Sequence, residues 1–375
     1  MNTETTITVQ STSDNQTRQF NWLSAEGSPP PTHVVAVDDR LTADKAQQWA
    51  AQGTAMAWEG DFQNARQLLS ALARRVAGTQ DQPSGSPAET FHRYREQRSH
   101  RARVLRNLLV PLGPGHVLSL RRAPDVRQAC TEVYGASSTT SLVPLRELLG
   151  VIGAHEWREK GVQVPALGER VHAHYGVFSP VRGEYVDLVA EAPLPARTLA
   201  FDLGTGTGVL AAVLARRGVE RVVATDVDPA AIACAKDNFA RLGLSERCET
   251  VRTDLFPPGR APLVVCNPPW VPARPHAPLE RAVYDPGSRM LRSFLDRLGA
   301  HLEPGGEGWL VLSDFAERLE LRTRDELLKA FADAGLRVLD RLDTRPGHPA
   351  TADETDPLHA ARAAEITSLW RLSPN

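Results

Sequence analysis

The residues best suited to chemistry lie in two short stretches. In "DLGTGTG" (202–208), Gly204, Gly206 and Gly208 stand between a strand-like apolar run, "TLAFDL" (198–203), and a helical run over 207–217. Glycines at such a junction let the chain turn tightly and let a ligand reach backbone N–H groups. A second run, "RVVATD" (221–226), ends on Asp226, and a third, "CETVRTD" (248–254), ends on Asp254. A carboxylate at the first of these ends suits both ribose hydroxyls of a nucleoside. One at the second suits the exocyclic amine of an adenine. The other stretch is "VVCNPPW" (264–270), where a buried-strand pattern gives way to Asn267, Pro268, Pro269 and Trp270. Paired prolines restrict the backbone where a strand hands over to a loop. Taken alone, the stretch could be a rigid turn.

The glycine spacing argues against a dinucleotide. That fingerprint places glycine first, third and sixth, whereas the sixth place counted from Gly204 is Val209 and the extra glycine is fifth. Asp202, just before the loop, would gain nothing from a pyrophosphate. It suits a cationic ligand, such as the amino group of a methionine moiety beside a sulfonium.

The elements that must hold these residues follow from the pattern around them. Strand-like runs at 198–203, 221–226, 248–254, 262–267 and 308–314 alternate with helical candidates at 207–217, 229–241 and 286–301. Such alternation predicts a mostly parallel sheet wrapped by helices. Two more runs, 335–342 and 365–372, have no helical pattern between them and predict an antiparallel finish. Upstream, the Ser-, Thr-, Gln- and Pro-rich residues 1–31 predict a disordered arm. Residues 32–165 predict an α-rich domain with a flexible linker at 77–90, a strand at 33–39, and helices over 60–76, from 91 to 112, and over 141–161 with Ser141 as cap. The catalytic domain is expected over 166–375.

In this order and spacing, "DLGTGTG", "TDVDP", "TDLF" and "NPPW" resemble the motifs of class I S-adenosylmethionine-dependent methyltransferases. Within them, the chain is similar to the group that methylates planar nitrogen, which includes the glutamine-N5 methyltransferases of release factors and the small-domain ribosomal RNA methyltransferases. "YGVFSPVRGEYVDLV" (175–189) and "VYDPGSRML" (283–291) are similar to segments of the release-factor branch. The resemblance covers about residues 170–372. It implies an α/β, Rossmann-like seven-stranded sheet with the last strand antiparallel, here carrying an N-terminal, mainly helical extension. It implies S-adenosyl-L-methionine as cofactor, bound by Asp202, Gly204, Thr205, Gly206, Gly208, Asp226, Val227, Asp254 and Leu255.

The same resemblance gives Asn267, Pro268, Pro269 and Trp270 the catalytic role. An amide or aryl amine delocalises its nitrogen lone pair. Accepting its two N–H bonds at the Asn267 side-chain oxygen and the Pro268 carbonyl would aim that lone pair at the methyl carbon. Trp270 would supply a flat wall. Tyr175, Phe178, Pro180 and Arg182 are candidates for the substrate pocket. Trp270 stands where tyrosine is usual, and Gly-Glu-Tyr replaces Glu-Thr upstream. The acceptor therefore stays open between a protein glutamine amide, which the release-factor likeness favours, a nucleic-acid base (adenine N6 or guanine N2) and a small-molecule amine. A non-catalytic binding module is the rival of another class.

Composition narrows the rest. The chain has 375 residues, 42% hydrophobic and 23% charged, with a formal net charge of -2, so any pull toward nucleic acid must be local. Residues 91–130 supply one: nine arginines (Arg93, Arg95, Arg98, Arg101, Arg103, Arg106, Arg121, Arg122, Arg127) oppose Glu96 and Asp125. That segment could meet an acidic or nucleic-acid partner, or be a solvated helix face. Cys130, Cys234, Cys248 and Cys266 form no C-x-x-C pair and predict reduced thiols in a cytoplasm. His155-Glu156 lacks the second histidine of a zinc motif and His172-Ala-His174 lacks a third ligand, so no metal is expected. The N-terminus has no apolar signal region, and no run is long enough to span a membrane.

Overall fold

The computed structural model describes residues 5–10, 17–76, 85–276, 278–347 and 353–375. It divides into two compact units, Met1–Gln82 with His92–Glu156, and Pro83–Phe91 with Trp157–Asn375.

Elements of the N-terminal half run β1 (Thr6–Gln10), β2 (Thr17–Trp22), β3 (His33–Val37), α1 (Ala43–Ala51), β4 (Thr54–Trp58), α2 (Phe62–Val76), α3 (Pro87–Leu105), β5 (Leu108–Leu112), α4 (Arg127–Tyr134), β6 (Ser141–Pro144) and α5 (Leu145–Lys160). The helices outweigh the strands in length, yet the organising element of the first unit is a closed six-stranded barrel in the order β1-β2-β6-β5-β4-β3. Its core takes alternate residues, Ile7 and Val9, Val34 and Ala36, Ala55 and Ala57, with Leu109 and Leu142. This period of two is what a strand with one buried face requires.

Four expectations change here. The expected arm supplies β1 and β2, because "TITVQ" buries Ile7 and Val9 while its threonines and glutamine face outward. The helix expected from 91 to 112 ends at Leu105, and "LLVPL" becomes β5. Ser141 is not a cap but the first residue of β6, and α5 begins only after Pro144, whose ring fits a helix start and not an interior. Of the expected linker, residues 77–84 lie outside the described residues, and Pro87–Thr90 form the first turn of α3.

The second half continues with β7 (Val162–Val164), β8 (Glu169–Val171), α6 (Glu184–Glu191), β9 (Leu199–Leu203), α7 (Val209–Arg216), β10 (Arg221–Asp226), α8 (Pro229–Arg241), β11 (Cys248–Arg252), β12 (Ala261–Cys266), α9 (Arg289–His301), β13 (Leu302–Ser313), α10 (Phe315–Arg318), α11 (Arg324–Asp333), β14 (Leu336–Thr344), α12 (His359–Ala363) and β15 (Thr367–Pro374). Seven strands form one sheet in the order β11-β10-β9-β12-β13-β15-β14. β15 is antiparallel to both neighbours, so the antiparallel finish is as expected. The sheet has a core on each face. Leu263, Val265, Trp309 and Val311 point into one, with α6 and α7 above them; Val264, Cys266, Leu310 and Leu312 point into the other, against α9 and α11. Strand order reverses between β9 and β12, and in an open α/β sheet that point leaves a crevice beyond the strands' carboxyl ends. Both stretches singled out in the sequence leave the sheet there.

Candidate functional site

Register sets the level of every loop at this crevice. Leu203 of β9 pairs with Thr225 of β10 on one side and Cys266 of β12 on the other. The next residue of each strand, Gly204, Asp226 and Asn267, therefore leaves the sheet side by side, neighbouring strands being ~4.8 Å apart.

The glycine loop is stitched to β10. Thr205 N–H donates to the Thr225 carbonyl (2.8 Å) and Gly208 N–H to the Thr205 carbonyl (2.8 Å). All three glycines sit at positive φ, +69°, +54° and +81°, where a side chain is strained. Gly208 also has no room, since a Cβ would stand 2.7 Å from the Phe239 ring. At Gly206 the space a side chain would fill is open.

Two of the three acids expected to meet a ligand, Asp202 and Asp226, are engaged with the loop. Asp202, 1% exposed, accepts through Oδ2 from the Thr205 hydroxyl (2.6 Å) and the Ala211 N–H (3.1 Å). Among the described residues nothing donates to its Oδ1. Burial pushes its carboxyl up to about 6, and the nearby Asp226 adds to the shift. Asp226 accepts from Gly206 N–H (3.1 Å) and Asp228 N–H (2.9 Å), and burial raises its pKa as well. Val227 is exposed at 65%. Asp254 is exposed and Leu255 buried beyond the end of β11. Leu255 holds φ +71°, uncommon for a branched side chain, and the Thr225 hydroxyl donates to its carbonyl (2.6 Å).

At the end of β12, Pro268 is buried while Asn267, Pro269 and Trp270 are half-buried. The Trp270 indole N–H donates to Asn267 Oδ1 at 2.8 Å, and its ring packs against both cores of the sheet. The Cys266 thiol below is fully buried, and burial drives its pKa well up, so it offers no thiolate.

Two residues that the sequence reading did not single out join these loops. Val271 N–H donates to the Val283 carbonyl (3.1 Å), and the Val271 carbonyl accepts from Asp285 N–H (2.9 Å), closing the loop after Trp270. The Asp285 carboxylate, 6% exposed, accepts from Met290 N–H at the head of α9 (2.7 Å). The Met290 methyl lies 2.7 Å from where a Cβ on Gly204 would stand.

Of the candidate pocket residues, Tyr175, Phe178 and Arg182 are half-buried and Pro180 is buried. The Arg182 guanidinium meets the buried Glu365 carboxylate (3.3 and 3.4 Å), which also accepts from Ser313 Oγ at the end of β13 (2.6 Å). His172 and His174 hold structure: His172 Nδ1 lies 2.6 Å from the Arg158 carbonyl oxygen and His174 Nε2 3.3 Å from Asp237. In the basic segment, Arg121 and Arg122 bind the buried Asp61, and Arg127 binds Asp125, so three of the nine arginines are in ion pairs.

The model of the methyltransferase small domain matches residues 169–334. A release factor glutamine methyltransferase of Cereibacter sphaeroides is 34% identical over 192 residues, covering 48% of this chain and 67% of the relative. The chain belongs to the class I S-adenosylmethionine-dependent methyltransferases. A ribosomal protein L11 methyltransferase of Sorangium cellulosum is 33% identical over 181 residues, 48% of each chain, so the methyltransferase spans about half of that relative's length. A solved ribosomal protein L11 methylase of Lactobacillus delbrueckii subsp. bulgaricus superposes over 56% of this chain and 86% of its own, at 19% identity and a TM-score of 0.39.

The cofactor of this methyltransferase is S-adenosylmethionine, and the residues present fit it. Gly206 leaves an open approach, and among the described residues Asp202 and Asp226 are paired with backbone and hydroxyl donors and with no cation. A cationic amino acid moiety joined to a nucleoside matches that set of acceptors. Among the described residues no helix is long and apolar enough to cross a membrane.

Proposed function

We propose that this methyltransferase methylates a planar nitrogen, a glutamine amide of a protein. The observation that carries the reading is the side-chain oxygen of Asn267, fixed at the crevice beside the glycine loop by the Trp270 indole N–H. When bound, the cofactor supplies an activated methyl group. The chain's own residues then have one task, to present the nitrogen. Asn267 Oδ1 accepts one N–H of the acceptor and the Pro268 carbonyl the other, which turns the lone pair out of conjugation and toward the donor. Pro268 and Pro269 keep those oxygens from drifting, and Trp270 walls the planar group. Asp226 takes the ribose hydroxyls and Asp254 and Leu255 the adenine edge. No strong base is called on; the proton leaves nitrogen after the methyl arrives.

Support for a protein acceptor comes from the two relatives above, both of which carry protein substrates in their names. The N-terminal unit would then recognise that substrate. A nucleic-acid base is the second reading, favoured by Arg101, Arg103 and Arg106, none of which meets a carboxylate among the described residues. The test is transfer of radiolabelled methyl into lysate of a strain lacking the enzyme, sorted into protein, nucleic acid and small molecules. Label in protein that Asn267→Ala abolishes, with cofactor binding intact, is the expected result. Label confined to nucleic acid selects the second reading, and binding with no transfer to any fraction leaves a non-catalytic module.

A further inference from the structure

An asparagine amide has an oxygen at one end and an NH2 group at the other, nearly equal in size, and a clamp for an N–H donor works with only one end forward. Asn267 needs something to decide between them. An indole nitrogen is a donor only, so the atom 2.8 Å from Trp270 Nε1 is the oxygen. A carbonyl oxygen has two lone pairs, and one remains for the acceptor's N–H. Trp270 is itself held, because its ring packs against both cores of the sheet. A tyrosine or phenylalanine at this place would offer the same flat wall without that donor.

We propose that Trp270 is a positioning residue whose indole N–H fixes the orientation of the Asn267 amide, and so commits the clamp to acceptors that donate N–H. This rests on the proposed N-methyl transfer and adds to it a reason for tryptophan. Losing the donor lets the amide turn, which lowers the fraction of productive complexes. It does not remove the wall on which the acceptor stacks.

The experiment uses the full chain, labelled S-adenosylmethionine, and the protein fraction of lysate from cells lacking the enzyme as acceptor. Asn267→Ala comes first. If it keeps wild-type transfer, the clamp reading itself fails and Trp270 has nothing to position. With that control in place, Trp270→Phe should lower the saturating rate about fivefold or more, the population change that one hydrogen bond governs. Half-saturation by acceptor and the Kd for S-adenosylmethionine should stay within about twofold of wild type. Replacing the indole by its benzothiophene isostere, which keeps the shape and lacks the N–H, should give the same loss. The decisive comparison repeats Trp270→Phe in an Asn267→Asp background. A carboxylate has oxygen at both ends, so there the loss should shrink below about twofold, a coupling that packing alone would not produce. Wild-type rates in the isostere, or equal losses in both backgrounds, would overturn the proposal. Should Asn267→Asp be inactive by itself, the isostere decides alone.

Discussion

Asp202 is the most perturbed carboxyl of the crevice, and its replacement by asparagine has a calculable pH signature. Its pKa is raised from 3.8 to about 6, chiefly by burial. A carboxyl raised by folding binds more protons in the native state than in the unfolded chain between those values. Its contribution to stability is therefore greatest below 3.8 and is lost as pH rises through about 6. Two units correspond to about 3 kcal/mol over the whole window. Asp202→Asn keeps an oxygen to accept from Thr205 and Ala211 and removes the titration. The new NH2 group faces the side where nothing donates to Oδ1 and adds a cost of ~1–3 kcal/mol that does not vary with pH. Slope, not offset, is therefore diagnostic. Urea unfolding of both proteins between about pH 4.5 and pH 8 should show the variant gaining about 2 kcal/mol on the wild type, with most of the change complete by about pH 7. Other groups titrate in both proteins and cancel in the difference. A difference independent of pH would refute the account of Asp202 as a desolvated charge. The same ionisation bears on the cofactor: a cationic ligand stabilises the charged carboxylate, so affinity for S-adenosylmethionine should rise with pH through about 6.

Three further outcomes follow from particular contacts. Asp226→Ala removes the acceptor for the Gly206 and Asp228 amides and should weaken S-adenosylmethionine binding by about tenfold or more in a calorimetric titration, the scale of charge-assisted hydrogen bonds. Gly208→Ala meets the Phe239 ring at 2.7 Å and a φ of +81° together, and should cost about 2 kcal/mol or more in urea unfolding. If a nucleic acid is bound, reversing Arg98 and Arg101 to glutamate should flatten the salt dependence of its affinity by about one unit of log–log slope per lost phosphate contact; an unchanged slope leaves that face of α3 as ordinary surface.

How much of this was legible depended on how far each signal reached along the chain. From 198 onward, strand-like runs of six or seven residues ended on aspartate, on asparagine or just before glycine and alternated with helical periods, so β9 to β12 and their loops could be placed within a residue or two. The barrel was not visible. Its strands are four to six residues long, and β5 and β6, "LLVPL" and "SLVP", adjoin the helices α3 and α5, whose apolar positions absorbed them. β1 was hidden in a Thr-rich text whose composition outweighed a five-residue alternation. In the site, a motif fixed which residues leave the sheet but not what they touch. The Trp270–Asn267 hydrogen bond spans three residues across two prolines, and no spacing rule predicts it. Asp285 and Met290 lie in the segment "VYDPGSRML" that the family likeness marks, but nothing in that text singles them out, since their role comes from where α9 begins.

That last pair links the cofactor loop to the acceptor clamp and gives a separable test. Alanine at 204 would bring two consequences. The φ of +69° costs about 1 kcal/mol for any residue with a Cβ, and that strain belongs to the glycine loop. The Cβ also stands 2.7 Å from the Met290 methyl, the far end of a flexible side chain, so Met290 and not the backbone must yield. Met290 leads α9 and its N–H is held by Asp285, which closes the loop after Trp270. Displacement there reaches the clamp. Gly204→Ala should therefore weaken S-adenosylmethionine binding and also raise the acceptor concentration needed for half-saturation, each several-fold. With Met290→Ala already present, the displaced methyl is gone, and Gly204→Ala should then impair cofactor binding alone. Thermal unfolding of the double variant checks that the fold survives. An effect on acceptor half-saturation that persists without Met290 would mean the two loops communicate through the bound cofactor and not through this contact.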